Sequence, residues 1–181
     1  MSPGGVWRED WAPATRTGSA SLSTVTVSVT ARFACLDDVS QLGRLYSELE
    51  AEMDALHAMW KRADALPKPV ADSFASLIES DDSLVVVGEI DGLPFGFLIA
   101  SVEGLVDGSL IGAIRFIFTE LPAREVGVAE AMRALALGDL RSRGLTRFDA
   151  HVLPGHRLVK NFFEAGGFSA RSIVMHHDDQ A

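Results

Sequence analysis

Residues 124–129 read Arg-Glu-Val-Gly-Val-Ala, between an apolar run and a long helical pattern. The first N–H groups of a helix lack internal partners, and the helix dipole adds partial positive charge there. Small residues at such a start let an anionic group approach the backbone, so the turn is a candidate phosphate cradle. The same Gly-x-Ala spacing also eases helix packing, and the spacing alone leaves both readings open.

Other reactive residues are scattered. Cys35, the only cysteine, sits between a strand and a helix with no histidine near in sequence; it reads as a small buried hydrophobe. His156 opens a helix and reads first as its cap, with contact to a ligand as the alternative. His151 and Asp149 share a strand face and read as a surface pair. The His-His-Asp-Asp run at 176–179 suits a metal but reads as a solvated terminus. His57 reads as interfacial or exposed. Gly138 costs its helix roughly 1 kcal/mol against Ala, and close approach to a sheet would explain it.

The elements that must position these residues follow from periodicity. Residues 24–34 alternate apolar and small polar side chains and read as a strand. From Leu36 to Trp60, apolar residues recur every three or four positions, one long amphipathic helix capped by Asp37 or Asp38. A shorter helix covers 70–80, with Phe74, Leu77 and Ile78 inward. Strands at 83–90, 93–103 and 110–119 form a meander, turning first at Asp91-Gly92. Helix 127–143, strand 146–152, helix 156–165 closed by Gly166-Gly167, and a final strand over 168–177 complete the chain. The order is β-α-α-β-β-β-α-β-α-β, one α/β domain over 24–181 with a mixed sheet. Residues 1–23, rich in Pro, Gly, Ser and Thr, read as a flexible leader in which Trp7 and Trp11 cluster locally.

Composition narrows the function. The 181 residues suit a single domain, and no apolar run reaches the roughly 18 residues that span a bilayer. Net charge is −9, with 7 basic and 17 acidic residues up to position 113 and 9 basic and 8 acidic after it. No basic stripe suggests nucleic acid. Acidic residues that simply solvate exposed faces explain the imbalance, and so does a cationic ligand bound by the acidic part. A single cysteine allows no internal disulfide and suits the cytosol.

Taken in order, these features resemble the GNAT N-acetyltransferases over residues 25–176. Arg124–Ala129 resembles that family's Arg/Gln-x-x-Gly-x-Gly/Ala pyrophosphate loop, and 156–168, HRLVKNFFEAGGF, its next conserved-type segment. The element order agrees and implies a mostly antiparallel mixed sheet flanked by helices. The resemblance implies that backbone N–H groups of Glu125, Val126, Gly127, Val128 and Ala129, led by Arg124, hold the diphosphate of acetyl-CoA. It further implies that Ile117, Phe118 and Thr119 run beside pantetheine, with an N–H near Ile117 polarising the thioester carbonyl.

The departures concern the chemistry. Glu125 stands where members often carry Gly, Val126 where they often carry a basic residue, and His156 where they carry Asn. Phe163 takes the position of the frequent tyrosine acid and would instead line the cofactor channel or the core. The strand positions that often supply a base fall on Ala113 and Arg115. Glu103, near the acceptor end by hairpin register, could take the amine's proton through water. The resulting expectation is an acetyl-CoA-dependent N-acetyltransferase. Catalytic candidates are Glu103, His156 and Ile117; a primary amine, possibly cationic, attacks directly. A non-catalytic acyl-CoA sensor is the alternative. No nucleic acid or membrane partner is expected, and a homodimer suits the fold.

Overall fold

The computed structural model describes residues 27–56, 59–177 and 179. The leader with its two tryptophans, and His57, lie outside them. Strand β1 is Val29–Phe33, and a 3-10 turn at Leu36–Asp38 leads into helix α1, Val39–Leu56. A four-residue helix α2, Trp60–Ala63, and α3, Val70–Glu79, follow. Strands β2 (Ser83–Ile90), β3 (Leu93–Gly104) and β4 (Leu110–Thr119) form the meander. Helix α4 is Val128–Ser142, β5 is Phe148–Ala150 and α5 is Arg157–Ala165.

The sheet runs β1-β2-β3-β4-β5, antiparallel except for β5, which lies parallel to β4. Strand alternation feeds two cores. Val85, Val87, Phe97 and Ile99 face α1–α3, where Tyr46, Trp60 and Phe74 are buried. Leu84, Val86, Leu98 and Ala100 face α4 and α5, with Met132, Leu140 and Phe163. Asp91 and Gly92 take φ of 51° and 78°, the left-handed pair a two-residue hairpin requires.

In β4 the alternation breaks. Ile99 pairs with Phe116 and Ala100 with Ile114, so Arg115 is a one-residue bulge. Ile114 and Ile117 consequently face α4 and α5, while Phe116 and Phe118 face α1. Sequence periodicity assumes unbroken pairing and gave no sign of this change of phase.

Four expectations are corrected. The final strand over 168–177 does not form: those residues are irregular, and Ile173, Val174 and Met175 stand exposed. Edge β5 is only three residues long and offers too short a ladder to pair that segment. The single helix to Trp60 is interrupted, Trp60 packing from its own short α2. Cys35 is exposed, because Asp38 reaches back to accept the Cys35 N–H at 2.8 Å and holds the turn at the surface. Gly138 has open space where a Cβ would be, so it makes no close approach. The tight glycines lie in strands instead. A Cβ on Gly88 would come 2.5 Å from Val128 Cγ1, and one on Gly112 would come 2.8 Å from Leu140 Cδ1, so both let α4 settle on the sheet.

Candidate functional site

A notch opens where β4 and β5 part. The two strands pair only over Gly112–Ile114 and Phe148–Ala150, and His151 N–H donates to Ile114 O at 2.9 Å. The chain then turns away through 152–155 to start α5. Residues 115–119 of β4, including Ile117, Phe118 and Thr119, therefore have no strand on that side among the described residues. A bulge and a departing neighbour leave main-chain groups for an extended ligand to pair with.

The loop at the end of β4 is pinned below and open above. Ala123 and Val128 are buried, whereas Glu125 and Val126 are exposed. Gly127 takes φ 98° as the residue before α4, and a Cβ there would meet nothing within 4 Å. Ala131 N–H donates to Gly127 O at 3.0 Å, the first bond of the helix. The N–H groups of Val128, Ala129 and Glu130 thus open α4 without a partner four residues back. Glu125 adopts φ 65°, a left-handed conformation that favours glycine, and its side chain is turned to solvent. Open space, unbonded amides and a helix start fit a diphosphate.

Arg124 does not join that cradle. Its Nε donates to Thr119 O at 2.9 Å, its Nη2 to Glu52 Oε2 at 2.6 Å, and its guanidinium lies 5.9 Å from the Phe118 ring centre. The arginine braces the end of β4 from the α1 side. Glu52 also faces His156, Oε1 to Nε2 at 3.2 Å. The His156 side chain makes no cap bond to α5, correcting the reading of it as a cap. Burial pushes its pKa below the ordinary imidazole value; Glu52 pulls it up, and Arg124 pushes it down.

Of the remaining candidates, Glu103 pairs with Ile111 in register, near the β3–β4 turn. Its Oε1 accepts from Arg115 Nη1 and from Ser101 Oγ, each at 3.0 Å. Phe163 is 3% exposed, with its ring between Phe162 and Phe168 at 5.1 and 5.2 Å. Asp149 is paired with Arg171, whose hydrogen bonds hold its carboxyl below the usual range against the opposing effect of burial. Among the described residues no group of three or more His, Cys, Asp or Glu could hold a metal; His177 instead meets Asp179 at 2.9 Å. Glu52 was missed from sequence. One acidic residue on the polar stripe of an amphipathic helix carries no local signal.

No family model matches the chain, and no curated protein does either. Solved structures do. The aminoglycoside N-acetyltransferase AAC(6')-Iy in complex with CoA superposes with a TM-score of 0.66 at 16% identity, covering 88% of this chain and 100% of that one. A transcriptional regulator from Bacillus halodurans C-125 matches with a TM-score of 0.66 at 18% identity, covering 83% and 100%. A predicted acetyltransferase with acetyl-CoA from Clostridium acetobutylicum matches with 0.65 at 12%, covering 83% and 96%. With its meander, bulged fourth strand and parting fifth strand, the chain has the GNAT acetyltransferase fold.

Proposed function

We propose that the protein is an acetyl-CoA-dependent N-acetyltransferase acting on a primary amine. The observation that carries this is the junction of a stretch of β4 paired on its β3 edge only with the left-handed Gly127 turn at the start of α4. The turn offers amides for the diphosphate, and residues 117–119 offer a strand edge for pantetheine. An N–H near Ile117 would polarise the thioester carbonyl. The amine attacks in its neutral form, so the rate should rise with pH towards the amine's pKa. The acidic first 113 residues support a cationic acceptor. The single exposed thiol is consistent with the cytosol, and exposed Ile173, Val174 and Met175 offer an apolar edge for a homodimer, which sedimentation would read.

The test is free-thiol release from acetyl-CoA with a panel of polyamines, amino sugars, amino acids and peptides, together with a CoA-induced thermal shift. Wild-type protein should release thiol with at least one amine. Gly127→Val, which strains the turn's φ and fills the open space proposed for the diphosphate, should lose the shift; an unchanged shift would remove the diphosphate loop. A second reading, a non-catalytic acyl-CoA sensor, is favoured by Phe163, whose buried position carries no proton to donate. A CoA shift without thiol release from any amine would select it.

A further inference from the structure

Glu52 bridges the two lips of the notch. From α1 it accepts Arg124 of the β4 lip on Oε2 and faces His156 of the α5 lip with Oε1. Its side chain is 29% exposed and that of His156 14%, so the imidazole is the more enclosed partner. We propose that Glu52 is a positioning residue that fixes His156 as the proton carrier of acetyl transfer. This rests on the acetyltransferase reading.

The chemistry follows from the donor inventory. A carboxylate beside a guanidinium only accepts, so the Nε2 that faces it carries the hydrogen. Nδ1 is then the basic nitrogen. Glu52 from α1 and Arg124 from the loop after β4 are the charged groups that face the ring. Because Arg124 holds the second oxygen, Glu52 cannot rotate away, and its pull on the imidazole is moderated. Burial and Arg124 favour the neutral ring, the form able to take a proton near neutral pH.

In the reaction the amine nitrogen attacks the acetyl carbon, the C–N bond forms and the C–S bond breaks. The proton lost by the amine passes to His156 Nδ1, directly or through one water, while Glu52 holds the imidazolium. That proton then passes to the departing thiolate, giving free thiol and regenerating the neutral ring. Glu103, already bound by Arg115 and Ser101, is left as a surface ion pair in this scheme.

The experiment combines a spectroscopic and a kinetic readout on the full chain. Nitrogen-15 spectra of the imidazoles, without acetyl-CoA, should show His156 as the Nε2–H tautomer. In Glu52→Gln its titration should move to lower pH, since a raising influence is removed; an unmoved titration and tautomer would overturn the proposal. In turnover, His156→Ala should lower kcat by about 10²–10⁴-fold and remove the acid limb set by the imidazole, leaving only the rise towards the amine's pKa. Glu52→Gln should lower kcat, shift that limb down and leave the KM for acetyl-CoA within about twofold, with Glu52→Asp restoring part of the rate. A wild-type protein that turns over while His156→Ala keeps both rate and limb defeats this proposal alone. A wild-type protein without CoA binding or thiol release defeats the acetyltransferase reading and this one with it.

Discussion

Strands β2, β3 and β4 run for eight, twelve and ten residues, while β5 has three and the described residues after α5 form none. The meander buries both its faces, under α1–α3 on one side and α4 on the other. The C-terminal region covers one face with α5 and leaves Ile173, Val174 and Met175 in solvent. The comparison shows why the candidate site lies where it does. A fully paired ladder has no free main-chain groups to offer, and an unpaired chain cannot hold groups in place. The seam, where β4 is fixed by β3 on one edge and released by β5 on the other, combines rigidity with open hydrogen-bonding capacity.

The contrast can be broken or sharpened by substitution. The largest effect should come from Phe97→Ala in the meander. Phe97 is fully buried, with rings of Phe74, Phe118 and Tyr46 centred at 5.8, 6.1 and 6.2 Å. A loss of about 3–5 kcal/mol is expected in denaturant unfolding. A loss under about 1 kcal/mol would show that the meander is not the stable half.

Phe163→Tyr probes the seam. The added hydroxyl enters a site that is 3% exposed and packed by aromatic rings. It should cost about 1–3 kcal/mol with no gain in rate, read by thermal melting and thiol release. A faster enzyme would show instead that the ring reaches the reacting thiolate and that a proton donor had been limiting.

Asp38 tests the edge of the meander by pH. Its carboxyl pKa is lowered from 3.8 to about 2, chiefly by hydrogen bonds from Arg32, against an opposing effect of burial. A lowered folded pKa contributes stability above pH 4 that is lost as pH falls from about 4 through 2. With Arg32 42% exposed, the contribution should be roughly 1 kcal/mol after solvent screening. Asp38→Asn should remove that acid-side slope while keeping an acceptor for the Cys35 N–H, as melts from pH 2 to 6 would record.

The smallest effect belongs to Arg171→Ala. Its ion pair with Asp149 lies at the free edge of β5, and the arginine is 64% exposed. No measurable change in Tm is expected. A clear drop would mean that the tail, irregular as it is, helps to hold β5.

Much of the backbone framing the candidate site could be read from sequence because its turn signals are local. The small residues around Gly127 announced an open turn before a helix; a turn is there, and its left-handed φ at Gly127 came from the structure. Asp91-Gly92 announced the hairpin, and Gly166-Gly167 the end of α5. The final strand failed for the opposite reason. FSARSIVMHH has strand-like residues, but a strand exists only where a neighbour supplies hydrogen bonds, and β5 is too short to do so. The bulge at Arg115 escaped because it depends on the register with β3.

Patterns of side-chain size, polarity and glycine placement were enough to determine most of the element order from β1 to α5, the meander and the open turn at Gly127, since each reflects forces acting within a few residues. Tertiary structure alone decided that Arg124 faces inward, that Phe163 is enclosed, and that Glu52 meets both Arg124, 72 positions away, and His156 across the notch. Those contacts form between side chains that only the packing of α1, the end of β4 and the start of α5 around one gap brings within hydrogen-bonding distance, and no local pattern encodes such a meeting.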